Sequence, residues 1–226
     1  MPAALTVTNL SKQYNHNLVV DDVSYSLHRG EAVGLLGANG AGKSTMIKSI
    51  LGLVRPSRGT IIHPELSPAY LPELPQLPTS LSALALLRFK CSALGLDSAL
   101  AEECLMEVNL SKKAYKQPIK QYSKGMRQRT ALALTLCGNP MLVCLDEPMS
   151  GLDALGRVEI LNLLKEKKKQ GAAFLMSSHI VPDMVQLCDR VLIMAHGRIC
   201  EDVLIQEHSL EEAMALEGKL ALWTTT

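Results

Sequence analysis

The sequence predicts an α/β domain, a mostly parallel sheet interrupted by an all-helical insertion, and three observations carry that expectation. In the first and last thirds, apolar runs of strand length alternate with amphipathic segments of helix length, as βαβ units require. A glycine-rich loop stands between one such run and the helix-like segment after it. The middle third loses this alternation and becomes first proline-rich, then helical.

Taken in order, VSYSL (residues 23–27) alternates apolar and polar side chains and reads as a half-buried strand, with Tyr25 on its inner face. A turn at Arg29-Gly30 then opens RGEAVGLLG, an apolar run that suits a strand covered on both faces. KSTMIKSILGLV reads as a helix stopped by Arg55-Pro56. Residues 64–78 carry five prolines and cannot form one helix. Helix-like segments follow at 80–94 and 97–108, and a third begins near Gly125. MLVCLD (141–146) and AAFLMSS (172–178) are buried strands, with an amphipathic helix at 154–170 between them. IVPDMVQLC is a short helix, and DRVLIMAHGRIC is a hairpin turning at His196-Gly197.

Composition excludes several classes. The 226 residues include 23 basic and 22 acidic side chains, a net charge of +1, so the basic footprint of a nucleic-acid binder is missing and no such partner is expected. The densest charge run, KEKKKQ (165–170), reads as a solvated helix end whose lysines suit the dipole. MPAALTVTNLSK lacks the basic-then-apolar order of a signal peptide, and no apolar run approaches the ~18–20 residues that cross a bilayer. A cytoplasmic chain is expected. Cysteines 91, 104, 137, 144, 188 and 200 stand in mainly apolar contexts without a C-x-x-C pair and read as small buried hydrophobes.

GANGAGKST runs Gly37, Ala38, Asn39, Gly40, Ala41, Gly42, Lys43, Ser44, Thr45 and fits G-x-x-x-x-G-K-[ST]. Phosphate oxygens need many donors in little space. Glycines let the backbone curl so that successive N–H groups point inward, and the following helix adds its positive end. Lys43 offers a point charge to the β/γ-phosphates, and the Ser44 hydroxyl suits Mg²⁺. The loop points to a nucleotide without naming a purpose. MLVCLDEP then puts two carboxylates at the end of a buried strand. Asp146 suits Mg²⁺ held through water, and Glu147 suits the attacking water as base or positioner. A free carboxylate is a weak base at neutral pH, so orientation matters as well. Taken alone, Asp-Glu after a core strand is also a common start to a turn.

YSKGMRQR (122–129) carries no metal spacing and no acid–base pair, and by itself it is a Ser-capped helix start. Ser123, Lys124, Gly125 and Met126 resemble the signature motif of ATP-binding cassette (ABC) proteins, commonly L-S-G-G-Q, departing at Lys124 and Met126. In the same order follow the acidic pair, then Ser150-Gly151-Leu152-Asp153, which resembles the D-loop, and Ser178-His179, which resembles the switch histidine. The resemblance covers essentially the whole chain. It implies a P-loop NTPase of ABC ATPase fold, with a mixed β core, a small antiparallel β subdomain and an inserted α-helical subdomain. The core would occupy about 1–72 and 140–205, the helical subdomain about 73–139, and a short C-terminal helix 207–218.

The resemblance further implies ATP and Mg²⁺ as ligands, and a head-to-tail pair of cassettes in which the signature of one faces the phosphate loop of the other. Ser123, Lys124, Gly125 and Met126 would form the trans contact, Ser150 and Asp153 the D-loop contact, and Lys43, Glu147 and His179 the catalytic set. Tyr14, in LSKQY, sits where the family stacks an aromatic on adenine; a strand-end tyrosine is the alternative. Glu73, in AYLPELPQLP, falls where most members carry the Q-loop glutamine, with Gln76 as the alternative. YSKGMRQR, DEPMSGLDALGR and SSHI resemble ABC-2 exporter ATPases, with Ala154 in place of a usual proline. Such chains are homodimers or paired subunits, peripheral on the inner face of the membrane through separate permease subunits. The alternatives are a soluble ABC ATPase acting on DNA or the ribosome, and a regulatory ATP-binding subunit.

Overall fold

Alternating Val, Thr and Leu side chains drive the first stretch of chain into extended structure. In the computed structural model, which describes residues 3–63 and 68–224, β1 (Ala3–Tyr14) and β2 (Asn17–His28) form an antiparallel hairpin. Asn15 at its tip takes a left-handed conformation (φ 52°) that Asn tolerates better than most residues. The expected strand at 23–27 is thus only the end of a longer one. Irregular register at Val7/Leu10 and the positive φ of Asn9 and Asp22 break the two-residue period, which hid the rest. The inner face carries Leu5, Val7, Leu10, Val20, Val23, Tyr25 and Leu27, so Tyr25 is core as expected.

β3 (Ala32–Leu36) leads through the glycine loop into α1 (Lys43–Ile50). This helix ends well before Arg55-Pro56. Gly52 (φ 70°) lets its N–H reach Ser49 O at 3.1 Å and the Leu53 N–H reach Lys48 O at 2.9 Å, a glycine stop that satisfies the last carbonyls. β4 (Arg58–Ile62) pairs with the free edge of β1, giving the small antiparallel sheet β2-β1-β4. Residues 64–67 of the proline-rich stretch lie outside the described residues. After β5 (Ala69–Leu71) come the helices of the insertion, α2 (Ala83–Ala93), α3 (Leu100–Glu107) and α4 (Lys124–Leu136). Leu84, Leu87, Cys91, Ala101, Leu105, Ile119, Leu132 and Leu136 are buried in this region. β6 (Leu142–Asp146), α5 (Ala154–Lys169), β7 (Ala173–Ser177), α6 (Val181–Leu187), β8 (Arg190–Ala195) and β9 (Arg198–Leu204) restore the alternation. α7 (Leu210–Thr224) closes the described chain.

The main sheet has the order β5-β6-β7-β3-β8-β9, parallel except for the β8–β9 hairpin, which turns at His196-Gly197 as expected. Every residue of β3, β6 and β7 is buried. Their side chains alternate between two cores: Val33, Leu35, Cys144 and Leu175 pack with the antiparallel sheet, while Leu36, Val143, Leu145, Phe174 and Met176 pack with the helices. Of the cysteines, 91, 137, 144 and 188 are buried and 104 and 200 partly so; all six are free thiols.

Two further expectations need correction. The C-terminal helix starts at Leu210 and passes the expected stop at 218, because one glycine costs a helix only ~1 kcal/mol. Lys219 and the Trp223 indole N–H also tie this stretch to Glu201. The lysine run ends α5 as expected, with Lys169 exposed, but it is solvated only in part. Lys167 is buried and donates to Glu107 at 2.8 Å and Asn139 at 2.9 Å, while Lys168 donates to Asp189 at 2.8 Å and Leu187 O at 3.1 Å. Charged heads at the end of α5 therefore clamp it to α3 and to the start of β8. Lys167→Met is expected to lower unfolding stability by about 1–3 kcal/mol, since Glu107 and Asn139 lose their donor. Urea titration should record that loss, with ATP turnover per folded molecule unchanged.

Candidate nucleotide site

The glycine loop leaves the carboxyl end of β3 pressed against its surroundings. A Cβ at Gly37 would collide with the Met194 carbonyl oxygen at the end of β8. Gly42 holds φ 103°, and a Cβ there would lie 2.5 Å from Val19 O, so both close approach and conformation demand glycine. The β8–β9 turn anchors the loop through Gly197 N–H to Ala41 O (3.2 Å), and β2 anchors that turn through Asp21 N–H to Gly197 O (2.9 Å). Gly42 precedes α1 with no side-chain cap, and the first turn holds no acidic residue, which leaves the positive end of the helix open to an anion. The Lys43 ammonium is folded over the loop and bonds Gly37 O at 2.6 Å and Ala38 O at 3.1 Å. Burial pulls it below its ordinary range, against the opposing fields of Glu147, Asp146 and Glu73.

Sheet order brings the remaining chemistry to this end. β7 lies between β3 and β6, and register sets Ser177 opposite both Leu35 and Asp146. The Ser177 hydroxyl donates to the Asp146 carboxylate, which is almost fully buried. Glu147 sits in the left-handed region (φ 51°), a conformation costing a non-glycine residue ~1 kcal/mol, and its N–H bonds Ser177 O at 3.2 Å. Its Oε2 lies 2.9 Å from His179 Nδ1 and 3.4 Å from the Ser178 hydroxyl. The His179 side chain is 70% exposed, so it can still reach a ligand. The structure thus joins Glu147 to His179, adds Ser177 to the residues expected, and gives Ser178, already expected beside His179, a contact with Glu147. The double serine before the histidine was the available signal; the register between β6 and β7 gives it meaning.

The other residues stand further out. Tyr14 ends β1, 44% exposed, with Lys12 Nζ 4.8 Å from its ring centre. Glu73 is exposed and close enough for its charge to act on Lys43 and on Tyr70, whose hydroxyl burial first, then Asp146, Cys144 and Glu73, push up to about 12. Glu73 and Gln76 share a cleft of about 280 Å³ with Lys124, Arg127 and Gln128. Ser123 caps α4 by accepting the Met126 N–H at 3.2 Å, and Ser123 and Lys124 are exposed. Asp153 caps α5 by accepting the Gly156 N–H at 2.8 Å, and Ser150 N–H bonds Glu147 O at 3.1 Å. Among the described residues, no hydrogen bond or ion pair joins residues 37–45 to residues 123–126.

The donor set near the loop is hard oxygen: the Ser44 hydroxyl and the Asp146 carboxylate. No cluster of three or more His, Cys, Asp or Glu side chains among the described residues could cage a metal. Mg²⁺ needs none when phosphates supply further ligands, so this set fits it.

An anion-binding strand–loop–helix beside a carboxylate pair and a histidine defines a P-loop nucleotide-hydrolysing domain. The family model described as ABC transporter matches residues 20–150. The chain is 36% identical to an uncharacterized ABC transporter ATP-binding protein, YxlF, of Bacillus subtilis, over 97% of this chain and 79% of that protein. It is 33% identical to the SkfA peptide export ATP-binding protein SkfE of the same organism, over 90% of each. A solved ATP-binding subunit of an ABC transporter superposes with a TM-score of 0.83 at 33% identity, over 94% of this chain and 98% of that one. The dimeric post-hydrolysis cassette MJ0796 bound to ADP and Pi shares the fold, with a TM-score of 0.81 at 21% identity over 89% and 99%. The chain belongs to the ABC transporter family, as an ATP-binding ATPase domain.

Proposed function

We propose that this chain is the energising subunit of an ABC-2-type exporter, working as a head-to-tail pair, homodimeric or with a second cassette, beneath separate permease subunits. One observation carries the reading. A complete phosphate cradle and a poised Glu147–His179 contact share a chain with an exposed signature turn that makes no bond to that cradle. A cradle and a signature held apart within one chain fit a pocket that two chains complete.

In this reading the N–H groups of residues 37–45 bind the β- and γ-phosphates, and Lys43 leaves the Gly37 and Ala38 carbonyls to meet them. Ser44 and Asp146 would hold Mg²⁺, which supplies charge neutralisation on the phosphates. Glu147 orients the attacking water and takes its proton. His179 faces the γ-phosphate. Tyr14 stacks on adenine, and Glu73 serves the Q-loop position. Ser123, Lys124, Gly125 and Met126 reach the partner's nucleotide, with Ser150 and Asp153 beside them. The core at 1–72 and 140–205 holds nucleotide, and the insertion at 73–139 presents the signature and meets the permease.

Export is supported by the peptide-export relative and by the exporter-like motifs, and the cell membrane's inner face is the corresponding location. No helix among the described residues is long and apolar enough to cross a membrane. Coexpression with a candidate ABC-2-type permease subunit is expected to yield a copurifying complex with stimulated ATP hydrolysis. A chain that ignores that permease and sediments with ribosomes or DNA would overturn the reading.

A further inference from the structure

We infer that Gln128 is a positioning residue that ties the signature turn to the backbone carrying Glu147, and so links the two nucleotide sites of a pair. The inference rests on the two-chain pocket proposed above.

Gln128 lies one helical turn after Lys124 and is 4% exposed. Its Nε2 donates to Pro148 O at 2.8 Å. A long amide buried this deeply is costly unless bonded, and this bond ends on the residue directly after the base. Glu147 is therefore held on both sides. Its own N–H is fixed by Ser177 O of β7, and the next carbonyl is fixed by α4. A left-handed glutamate persists only where its neighbours over-determine it, and Gln128 supplies one of those restraints.

The same two turns of α4 meet the following segment at further points. A Cβ on Gly151 would lie 2.6 Å from Lys124 Cγ, and one on Gly125 would lie 3.0 Å from Gly151 O. Arg129 bonds Glu159 at 2.7 Å and Val108 O at 2.6 Å, and it lies over Gly156, where a Cβ would meet its Nη2 at 2.8 Å. The signature turn, the turn after Glu147 and the start of α5 thus form one docked body. In the pair, the signature turn touches nucleotide held by the partner, while Glu147 acts on nucleotide held by its own chain. A shift of α4 on filling one site then displaces the base of the other, and Gln128 is the polar link nearest that base.

Gln128→Met separates tether from packing, because it keeps an unbranched side chain of similar length and removes the donor. Gln128→Glu faces the Pro148 carbonyl with an acceptor. ATP turnover of the purified chain, measured against ATP and protein concentration, is expected to fall about tenfold in kcat for Gln128→Met. Gln128→Glu falls further. ATP affinity stays near wild type and the Hill coefficient drops toward one, while Tm falls by a few degrees for Gln128→Met and further for Gln128→Glu because the Pro148 carbonyl loses its donor. Wild-type kcat and cooperativity in a folded Gln128→Met, or a kcat loss matched by lost ATP affinity, overturns the inference alone. A wild-type chain that turns over ATP as a dimer without cooperativity overturns this link alone, and one that turns over ATP as a monomer overturns the two-chain pocket and the link together.

Discussion

Glu147→Gln is expected to slow single-turnover ATP hydrolysis by about 10²–10⁴-fold while ATP binding survives. The side chain is held by groups that accept the change. Glutamine has the same shape, so it can keep the contacts with the Ser178 hydroxyl and His179 that the carboxylate makes at 3.4 and 2.9 Å. The left-handed backbone depends on Ser177 O and on Pro148 O rather than on the carboxylate. What disappears is the charge that, in the proposed role, takes a proton from water. The phosphate loop, Lys43 and the open end of α1 are untouched, so affinity should remain. Trapped with intact ATP, the variant should accumulate as a dimer by light scattering. Hydrolysis within tenfold of wild type would remove Glu147 from its assigned role, and a variant that stayed monomeric with ATP would weaken the paired arrangement.

A second large effect is expected from mixing two variants that should each be inactive alone, Lys43→Met and Ser123→Tyr. Lys43→Met removes the cation from the loop of its own chain. Ser123→Tyr fills the exposed turn that the partner's nucleotide would meet. In a head-to-tail pair made of one copy of each, both lesions fall in the same pocket. The other pocket combines an intact loop with an intact signature. Half the dimers in an equal mixture are mixed, and each has one sound pocket, so turnover should recover to at most roughly a quarter of wild type. Coupling through α4 would lower that figure. No recovery at any ratio, with each variant shown to fold, mixed dimers shown to form and the coupling removed by Gln128→Met, would count against a pocket built from two chains.

The fold was legible where its signals are contiguous. β3, β6 and β7 are five-residue apolar runs covered on both faces, and no distant residue is needed to recognise them. The glycine loop, the Asp146-Glu147 pair and Ser178-His179 were readable for the same reason. β1 and the first half of β2 were not, because bulges shift the alternation on which such a reading depends. Lys167 misled because a lysine at a helix end is ordinarily solvated, and its partners Glu107 and Asn139 lie 60 and 28 positions away. Gln128 carried no local signal, since its partner carbonyl belongs to a turn 20 residues later.

From the order of residues alone came the chemical inventory: a phosphate loop, a carboxylate pair, a histidine and a capped serine turn, each defined by neighbours a few bonds apart. Tertiary structure decided their mutual geometry. Placing β7 between β3 and β6 brings Ser177 to Asp146 and His179 to Glu147, and docking α4 on residues 148–159 ties the turn at 123–126 to the backbone that follows Glu147. Such contacts depend on strand order and helix packing, which arise from burial summed over the whole chain. No local pattern encodes that sum.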